Sequence, residues 1–295
     1  MIQIFGIPIQ ALMGQILLGL VNGSFYAVLS LGLAVIFGLL NVINFAHGAF
    51  FMLGAFFAWM GLHYLGVSYW VMLLVSPLLV GVAGIILERG LLRHLYQLDH
   101  LYGLLLTFGV VLLMEGFFRS IYGVSGLPYP VPSALQGGID LGFMYLPIYR
   151  LWVVVVSLAL CLGVWLLVEK TQLGALLRAA TSNPKLVEAF GINVPLIVTL
   201  TFGCGVAMAG FVGVLAAPIM QVSPSMGANL IVVVFAVVVI GGMGSILGSI
   251  VTGLGLGVLE GLTKVYWPEA ANTVVFMIMV IVLVLRPAGL FGKQA

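Results

Sequence analysis

Long apolar runs alternate with short polar stretches along almost the whole chain. The first 87 residues contain no Asp, Glu, Lys or Arg, and a second charge-free stretch runs from Ala189 to Leu259. A charge at the centre of a bilayer costs about 2.5–3.5 kcal/mol on insertion scales, which explains why charges are left out. A soluble domain cannot do without them, because most of its surface faces water. The pattern predicts an integral membrane protein.

Nine apolar runs are close in length to one membrane crossing, which takes about 20 helical residues. They cover residues 10–40, 46–64, 68–87, 101–122, 151–168, 195–217, 229–243, 245–263 and 270–286. We therefore expect an all-α polytopic bundle of about eight or nine transmembrane segments with broken or re-entrant helices, forming a single domain over residues 1–295. The first run is long enough for a tilted helix or for a span plus a half-helix. The seventh is short and predicts a segment that ends near the midplane.

Basic residues predict the orientation, because cytoplasmic loops carry an excess of Lys and Arg. Seven of the ten Lys and Arg residues fall in three clusters, and Arg119, Arg150 and Lys264 lie outside them. The clusters are Arg89 and Arg93; Lys170, Arg178 and Lys185; Arg286 and Lys293. The rule places residues 88–100, residues 169–194 and the C-terminal end in the cytoplasm. With nine crossings, the N-terminus lies outside.

The composition and charge narrow the class of protein further. With 63% hydrophobic and 6% charged residues, the chain has no room for a soluble domain, and a net charge of +2 does not argue for nucleic acid. Cys161 and Cys204 lie within apolar runs, so we expect packing residues rather than a disulfide or a metal site.

Residues 169–194 form the most polar stretch of the chain. Leu173 to Thr181 has a helix-forming composition, and a second short helix follows, with Asn183 as its N-cap, Pro184 at its first position and Gly191 as its stop. A bare connection between helices needs only about 2–8 residues. Either a surface helix packs on the bundle here, or this segment docks on a cytoplasmic partner.

Two Gly-rich breaks, at 38–48 and 241–248, interrupt apolar runs. Broken helices expose backbone groups inside the membrane, where helix N-termini suit a carboxylate and C-terminal carbonyls suit an ammonium group. The candidate residues of a translocation pathway are Asn41, Asn44, His47, Gly241, Gly242 and Gly244. The alternatives are helix capping or interhelical hydrogen bonding for the asparagines, a structural hydrogen bond for His47, and simple packing for both turns.

Other polar or small residues in the runs favour structural roles. Glu115 and Arg119 are spaced to form an intrahelical ion pair, with a charge lining a vestibule as the alternative. Gly257 and Gly261 predict close helix packing. No catalytic cluster and no metal site are expected.

Six segments resemble, in the same order, the permeases of the branched-chain amino acid class of ABC importers. They are GLLNVINFAHG (38–48), LLLTFG (104–109), LGALLRAA (173–180), NP with EAFGIN (183–184 and 188–193), VVVIGGMGSILG (237–248) and RPAGLFG (286–292). The resemblance covers essentially the whole chain and is greatest to the shorter of the two permease subunits of that class.

This resemblance implies one half of an importer, with a second permease, two cytoplasmic ATPase subunits and a periplasmic or lipid-anchored binding protein, in the bacterial cytoplasmic membrane. Amino acids of the branched-chain type or related small polar compounds are the implied substrates. It also implies that the 169–194 segment couples to the ATPase through Leu176, Arg178, Ala180, Asn183, Glu188 and Gly191. The Glu-Ala-Ala signature of other importer permeases is only partly present, because Phe190 follows Glu188 and Ala189.

The chain has no Gly-x-x-x-x-Gly-Lys-[Ser/Thr] phosphate loop, so we expect no cofactor of its own, ATP bound by the partners and no enzymatic activity. The alternative is a self-contained secondary transporter or channel for a small polar solute. Against it, the intramembrane ionisable residues that we identify for an ion relay are few: Glu115, Arg119 and Glu260. An intramembrane enzyme would need a cluster of acids, or His with Cys, at helical spacing.

Overall fold

A computed structural model describes residues 3–4, 7–40, 44–96, 98–271 and 273–292. Its helices are α1 (Ile9–Leu40), α2 (Ala46–Leu65), α3 (Tyr69–Gly90), α4 (His100–Tyr122), α5 (Ile148–Lys170), α6 (Gln172–Ser182), α7 (Pro184–Ala189), α8 (Val194–Met220), α9 (Met226–Gly241), α10 (Ile246–Tyr266) and α11 (Val274–Leu285). Two antiparallel hairpins pair β1 (Gln3–Ile4) with β2 (Ile7–Pro8) and β3 (Gly138–Asp140) with β4 (Tyr145–Pro147). Short 3-10 helices cover Leu92–Leu95, Ser133–Leu135 and Pro268–Ala270.

The prediction of a polytopic all-α membrane protein is confirmed. Within the described ranges, seven helices are long and apolar enough to cross a membrane, and α9 and α11 are shorter apolar helices. Helices dominate because a chain in lipid must satisfy its backbone hydrogen bonds internally. The long first run is one continuous helix, α1, and the seventh run is short, since α9 has 16 residues.

The chain divides into two compact units. One unit comprises residues 31–130 and 163–232, and α2, α3 and α8 pack together in it. Glycines allow this packing, because a Cβ on Gly54 would collide with the backbone of Gly210, and one on Gly81 would lie 3.2 Å from the Gly203 carbonyl oxygen. The Ser76 hydroxyl, next to Pro77 inside α3, donates to the Gly54 carbonyl at 2.8 Å.

The other unit comprises residues 1–30, 131–162 and 233–295. Its first helical stretch packs closely on α10, where a Cβ on Gly257 would collide with the backbone of Gly23 and one on Gly261 with the carbonyl of Gln15. The prediction that Gly257 and Gly261 mark close helix packing is confirmed. Cys161 in this unit is buried as expected, whereas Cys204 in the other is exposed, so the expected packing role of Cys204 is wrong within this chain.

Candidate functional site

The first predicted break lies between α1 and α2. Asn41 is outside the described residues. Asn44 is 1% exposed, and neither atom of its amide group has a hydrogen-bond partner among the residues that the structure describes. The cap or interhelical bond that would give Asn44 a structural role is therefore not made by the described part of the chain.

His47 is fully buried in the first turn of α2. Its backbone N–H donates to the Asn44 carbonyl at 3.3 Å. Its ring packs on α1, because Cε1 lies 3.1 Å from the position that a Cβ on Gly32 would occupy. In the described ranges no group of three His, Cys, Asp or Glu side chains could hold a metal ion.

Thr107 joins this break to α4, and the sequence analysis did not select it. Its hydroxyl accepts from the Phe45 backbone N–H at 3.3 Å and donates to the Leu104 carbonyl at 3.0 Å. A side chain thus satisfies a backbone donor just before α2 begins. Thr107 is the polar residue of the LLLTFG segment, which is the signal that could have pointed to it.

The second predicted break is a tight turn between α9 and α10. Gly242 and Gly244 have φ of +99° and +81°, a conformation that glycine adopts without a Cβ penalty. The Ser245 hydroxyl then caps α10 by accepting from the Gly248 N–H at 3.1 Å. The helix break predicted at 241–248 is confirmed.

The C-terminal segment 286–292 covers this turn. The N–H groups of Leu290 and Phe291 donate to the carbonyls of Ile240 and Gly241, at 2.8 and 3.1 Å. These bonds satisfy acceptors that the end of α9 would otherwise leave unpaired. A Cβ on Gly242 would lie 2.5 Å from the Gly292 nitrogen, so at least this side of Gly242 faces packed backbone rather than open space.

The two breaks belong to different compact units, 44–48 to one and 241–248 to the other. The proposition that they line a common pathway stays a prediction.

The segment 169–194, here called the α6–α7 segment, has the predicted local structure. The Asn183 side chain accepts from the Leu186 N–H at 3.1 Å, Pro184 occupies the first turn of α7, and Gly191 has φ of +80°. Asn183, Pro184 and Gly191 thus act as expected from the sequence.

The structure separates the inner from the outer residues of this segment. Ala180, Val187 and Val194 form a buried cluster with the partly buried Leu176 packed against it. Ala180 is only 4% exposed, which leaves little of it to contact a partner. Arg178 donates to the Val168 carbonyl at 2.8 Å and lies 3.7 Å from Glu169, so it bonds to the end of α5.

Glu188 is exposed, as a docking residue must be. Two apolar side chains that the sequence analysis did not select are also exposed: Leu186 (54%) and Phe190 (76%). Val187, between them in the chain, is buried in the cluster instead. The α6–α7 segment therefore presents apolar side chains next to charges.

Two acids are buried in the long helices. Glu88 accepts from the Tyr96 hydroxyl at 2.9 Å and from the Thr199 hydroxyl at 2.7 Å. Burial, together with the Glu88 carboxylate, holds the pKa of Tyr96 above its ordinary value. Glu88 is the first charged residue after the first charge-free stretch, and this position in the sequence could have identified it as a candidate residue.

Glu260 accepts from the Tyr26 hydroxyl at 2.8 Å and from the Lys264 ammonium group at 2.6 Å. In the second half of α4, Glu115 and Arg119 form the predicted intrahelical ion pair. Glu260 and Glu115 thus both have partners within the chain.

The sequences of known proteins match this chain over most of its length. Residues 15–285 match the family model described as branched-chain amino acid transport system / permease component. The high-affinity branched-chain amino acid transport system permease protein BraD of Pseudomonas aeruginosa is 28% identical over 301 residues, 95% of each chain. The corresponding LivH protein of Escherichia coli is 27% identical over 294 residues, 95% of each chain. LivM of Escherichia coli is 29% identical over 288 residues, 90% of this chain and 67% of LivM. No solved structure matches this chain.

Proposed function

The chain belongs to the family of branched-chain amino acid transport permeases, and from that premise we propose that it is a permease subunit of an ATP-driven importer in the bacterial cytoplasmic membrane. It forms half of the translocation pathway for branched-chain amino acids or related small polar compounds. A second permease, a protein of the LivM kind, forms the other half. Two cytoplasmic ATPase subunits supply the energy, and a periplasmic or lipid-anchored binding protein delivers the substrate.

The observation that carries this proposal is the outer surface of the α6–α7 segment. Leu186, in the short helix α7, and Phe190, directly after it, are exposed beside the charged residues Lys185 and Glu188. The buried cluster around Val187 supports this helix. Apolar anchors with a polar rim are typical of the centre of a protein interface. In this proposal they occupy a cleft on the ATPase, and Glu188 and Lys185 fix the orientation.

ATP binding has to come from that partner, because the chain lacks the Gly-rich phosphate loop with its Lys. Closure of the ATPase subunits displaces α7, and the displacement shifts the membrane helices between two states with different access to the substrate. A nucleotide can drive this change only by binding one state better than the other.

Substrate recognition within the membrane uses the helix break that precedes α2. An amide offers both a donor for a carboxylate and an acceptor for an ammonium group, which is what a zwitterionic amino acid requires. Asn44 is the side chain best suited to this, because the described residues leave both ends of its buried amide without a partner.

Purification and reconstitution test the proposal. The chain, tagged and expressed with its neighbouring genes, should copurify a second permease and an ATPase, and the complex in liposomes should take up an amino acid only with ATP and the binding protein present. A panel of amino acids, amides and aromatic acids added to the binding protein identifies the substrate class. Uptake by the isolated chain, driven by a proton or sodium gradient, would overturn the assignment in favour of a secondary transporter.

A further inference from the structure

The buried carboxylate of Glu88 accepts hydrogen bonds that connect three elements of one compact unit. Glu88 lies in the last turn of α3 and is 1% exposed. Its Oε1 accepts from Tyr96, which follows the 3-10 turn Leu92–Leu95 on the way to α4, and its Oε2 accepts from Thr199 in the second turn of α8. Thr199 is 2% exposed, so its bond to Glu88 is shielded from water.

Fold stability alone is a poor reason for this arrangement. Taking a carboxylate out of water is costly, and apolar side chains of similar volume often replace buried charges without loss of stability. Among the ion pairs of the described residues, none includes Glu88. Two neutral hydroxyl groups are the partners that the structure gives to this acid.

The position of Thr199 suggests what the carboxylate does. Thr199 lies one helical turn beyond Val194, which starts α8 and packs with Val187 of α7 and Ala180 of α6. A force on α7 therefore reaches the first turn of α8 through packed side chains. The first side-chain hydrogen bond from α8 to another helix beyond that point, in the described part of the chain, is the one from Thr199 to Glu88.

We propose that Glu88 is the positioning residue through which movement of the α6–α7 segment is passed to α3 and, through Tyr96, to the connection leading to α4. The inference rests on the proposed function, because it assumes that an ATPase moves α7. Glu88 does not contact substrate in this scheme. It fixes how far α3 follows when α8 moves.

The hydroxyl of Thr199, at the contact between α8 and α3, can donate to either of two acceptors. Its Oγ1 lies 2.7 Å from Glu88 Oε2 and 3.0 Å from the Pro195 carbonyl oxygen, and its one proton can serve one of them fully. The charged acceptor is favoured while the helices are close. When α8 moves away from α3, the hydroxyl donates to the Pro195 carbonyl instead. The hydroxyl therefore keeps a hydrogen-bond partner in both positions, and the contact between α3 and α8 can form and break repeatedly.

Thr199→Val tests the inference, since valine has the same shape but no hydroxyl. The complete importer, with both permeases, ATPases and binding protein, is reconstituted, and substrate uptake and ATP hydrolysis are measured on the same vesicles. We expect the substrate taken up per ATP hydrolysed to fall about 10-fold, the factor expected from losing one hydrogen bond to a charged group. Thr199→Ser, which keeps the hydroxyl, should restore the ratio.

Thr263→Val is the matched control, because the Thr263 hydroxyl donates to the Leu259 carbonyl four residues back and makes no bond to an acid that the structure records. Its ratio should stay at the wild-type value. If Thr199→Val does not fold, Tyr96→Phe decides by the same ratio. An unchanged ratio in the folded variant, even with less protein in the membrane, would overturn the inference and leave Glu88 a stabilising residue. A wild-type complex that shows no ATP-dependent uptake would instead refute the proposed function.

Discussion

At the scale of single residues, Asn44 distinguishes a transport role from a structural one. The described residues leave the buried amide of Asn44 without a partner, and such an amide costs about 1–3 kcal/mol, so an apolar side chain of similar size should be tolerated or even preferred by the fold. We expect Asn44→Leu to keep or raise the melting temperature in detergent and to lower uptake strongly.

Asn193→Ala is the contrasting control, because the Asn193 side chain caps α8 by accepting from the Leu196 N–H at 3.0 Å. Losing that cap should cost about 1 kcal/mol and lower the melting temperature. If Asn44→Leu also melts early while uptake per folded molecule is intact, Asn44 is a structural residue.

Gly242 offers a second residue-scale prediction. Its φ of +99° is unfavourable for any side chain, and a Cβ would press on the Gly292 nitrogen. Gly242→Ala should therefore destabilise the protein by roughly 1–3 kcal/mol through strain and overpacking. Thermal melting measures this loss.

Gly255→Ala is the matched control for this substitution. Gly255 lies inside α10 with nothing within 4 Å of the added methyl group. Alanine there should stabilise the helix by up to about 1 kcal/mol. Equal melting temperatures for the two variants would show that the contact between the turn and the C-terminal segment is dispensable.

At the scale of elements, the α6–α7 segment combines a buried support with an exposed surface. Phe190→Ala and Glu188→Lys change only that surface, so the melting temperature should not move. Association with the ATPase should weaken, for Phe190→Ala by at least about 30-fold if it is an interface hot spot.

Copurification of the ATPase at graded salt concentration measures this loss. Leu98→Ala is the control, because Leu98 is 50% exposed in residues 88–100, another segment predicted to be cytoplasmic. Full ATPase association and full uptake in both Phe190→Ala and Glu188→Lys would rule out docking by this surface.

At the scale of the whole molecule, the described part of the chain has seven helices that are long and apolar enough to cross a membrane. It lacks a phosphate loop, and its buried acids Glu88 and Glu260 are each engaged by partners within the chain. Reconstituted alone, it should neither hydrolyse ATP nor accumulate substrate under a proton or sodium gradient. Radiolabelled amino acid uptake in proteoliposomes checks this, and addition of the partner subunits should restore uptake.

Much of this architecture follows from the sequence because its causes are local. The bilayer excludes charge and forces helices, so the apolar runs predicted the spans and their approximate ends. Caps act over a few residues, so Asn183, Pro184 and Gly191 predicted how α7 begins and ends. The Gly-rich stretches predicted both helix breaks for the same reason.

Contacts between distant residues could not be predicted in this way. The covering of Gly242 by Gly292 and the bond between Glu88 and Thr199 depend on which segments pack together. Helices that are apolar on every side carry no polar face to show which neighbour they meet. The sequence by itself therefore determined that this is a multi-pass helical permease and where its helices break. Only the tertiary structure decided which polar groups inside it are paired, because pairing requires that residues as far apart as Glu88 and Thr199 be brought within 3 Å.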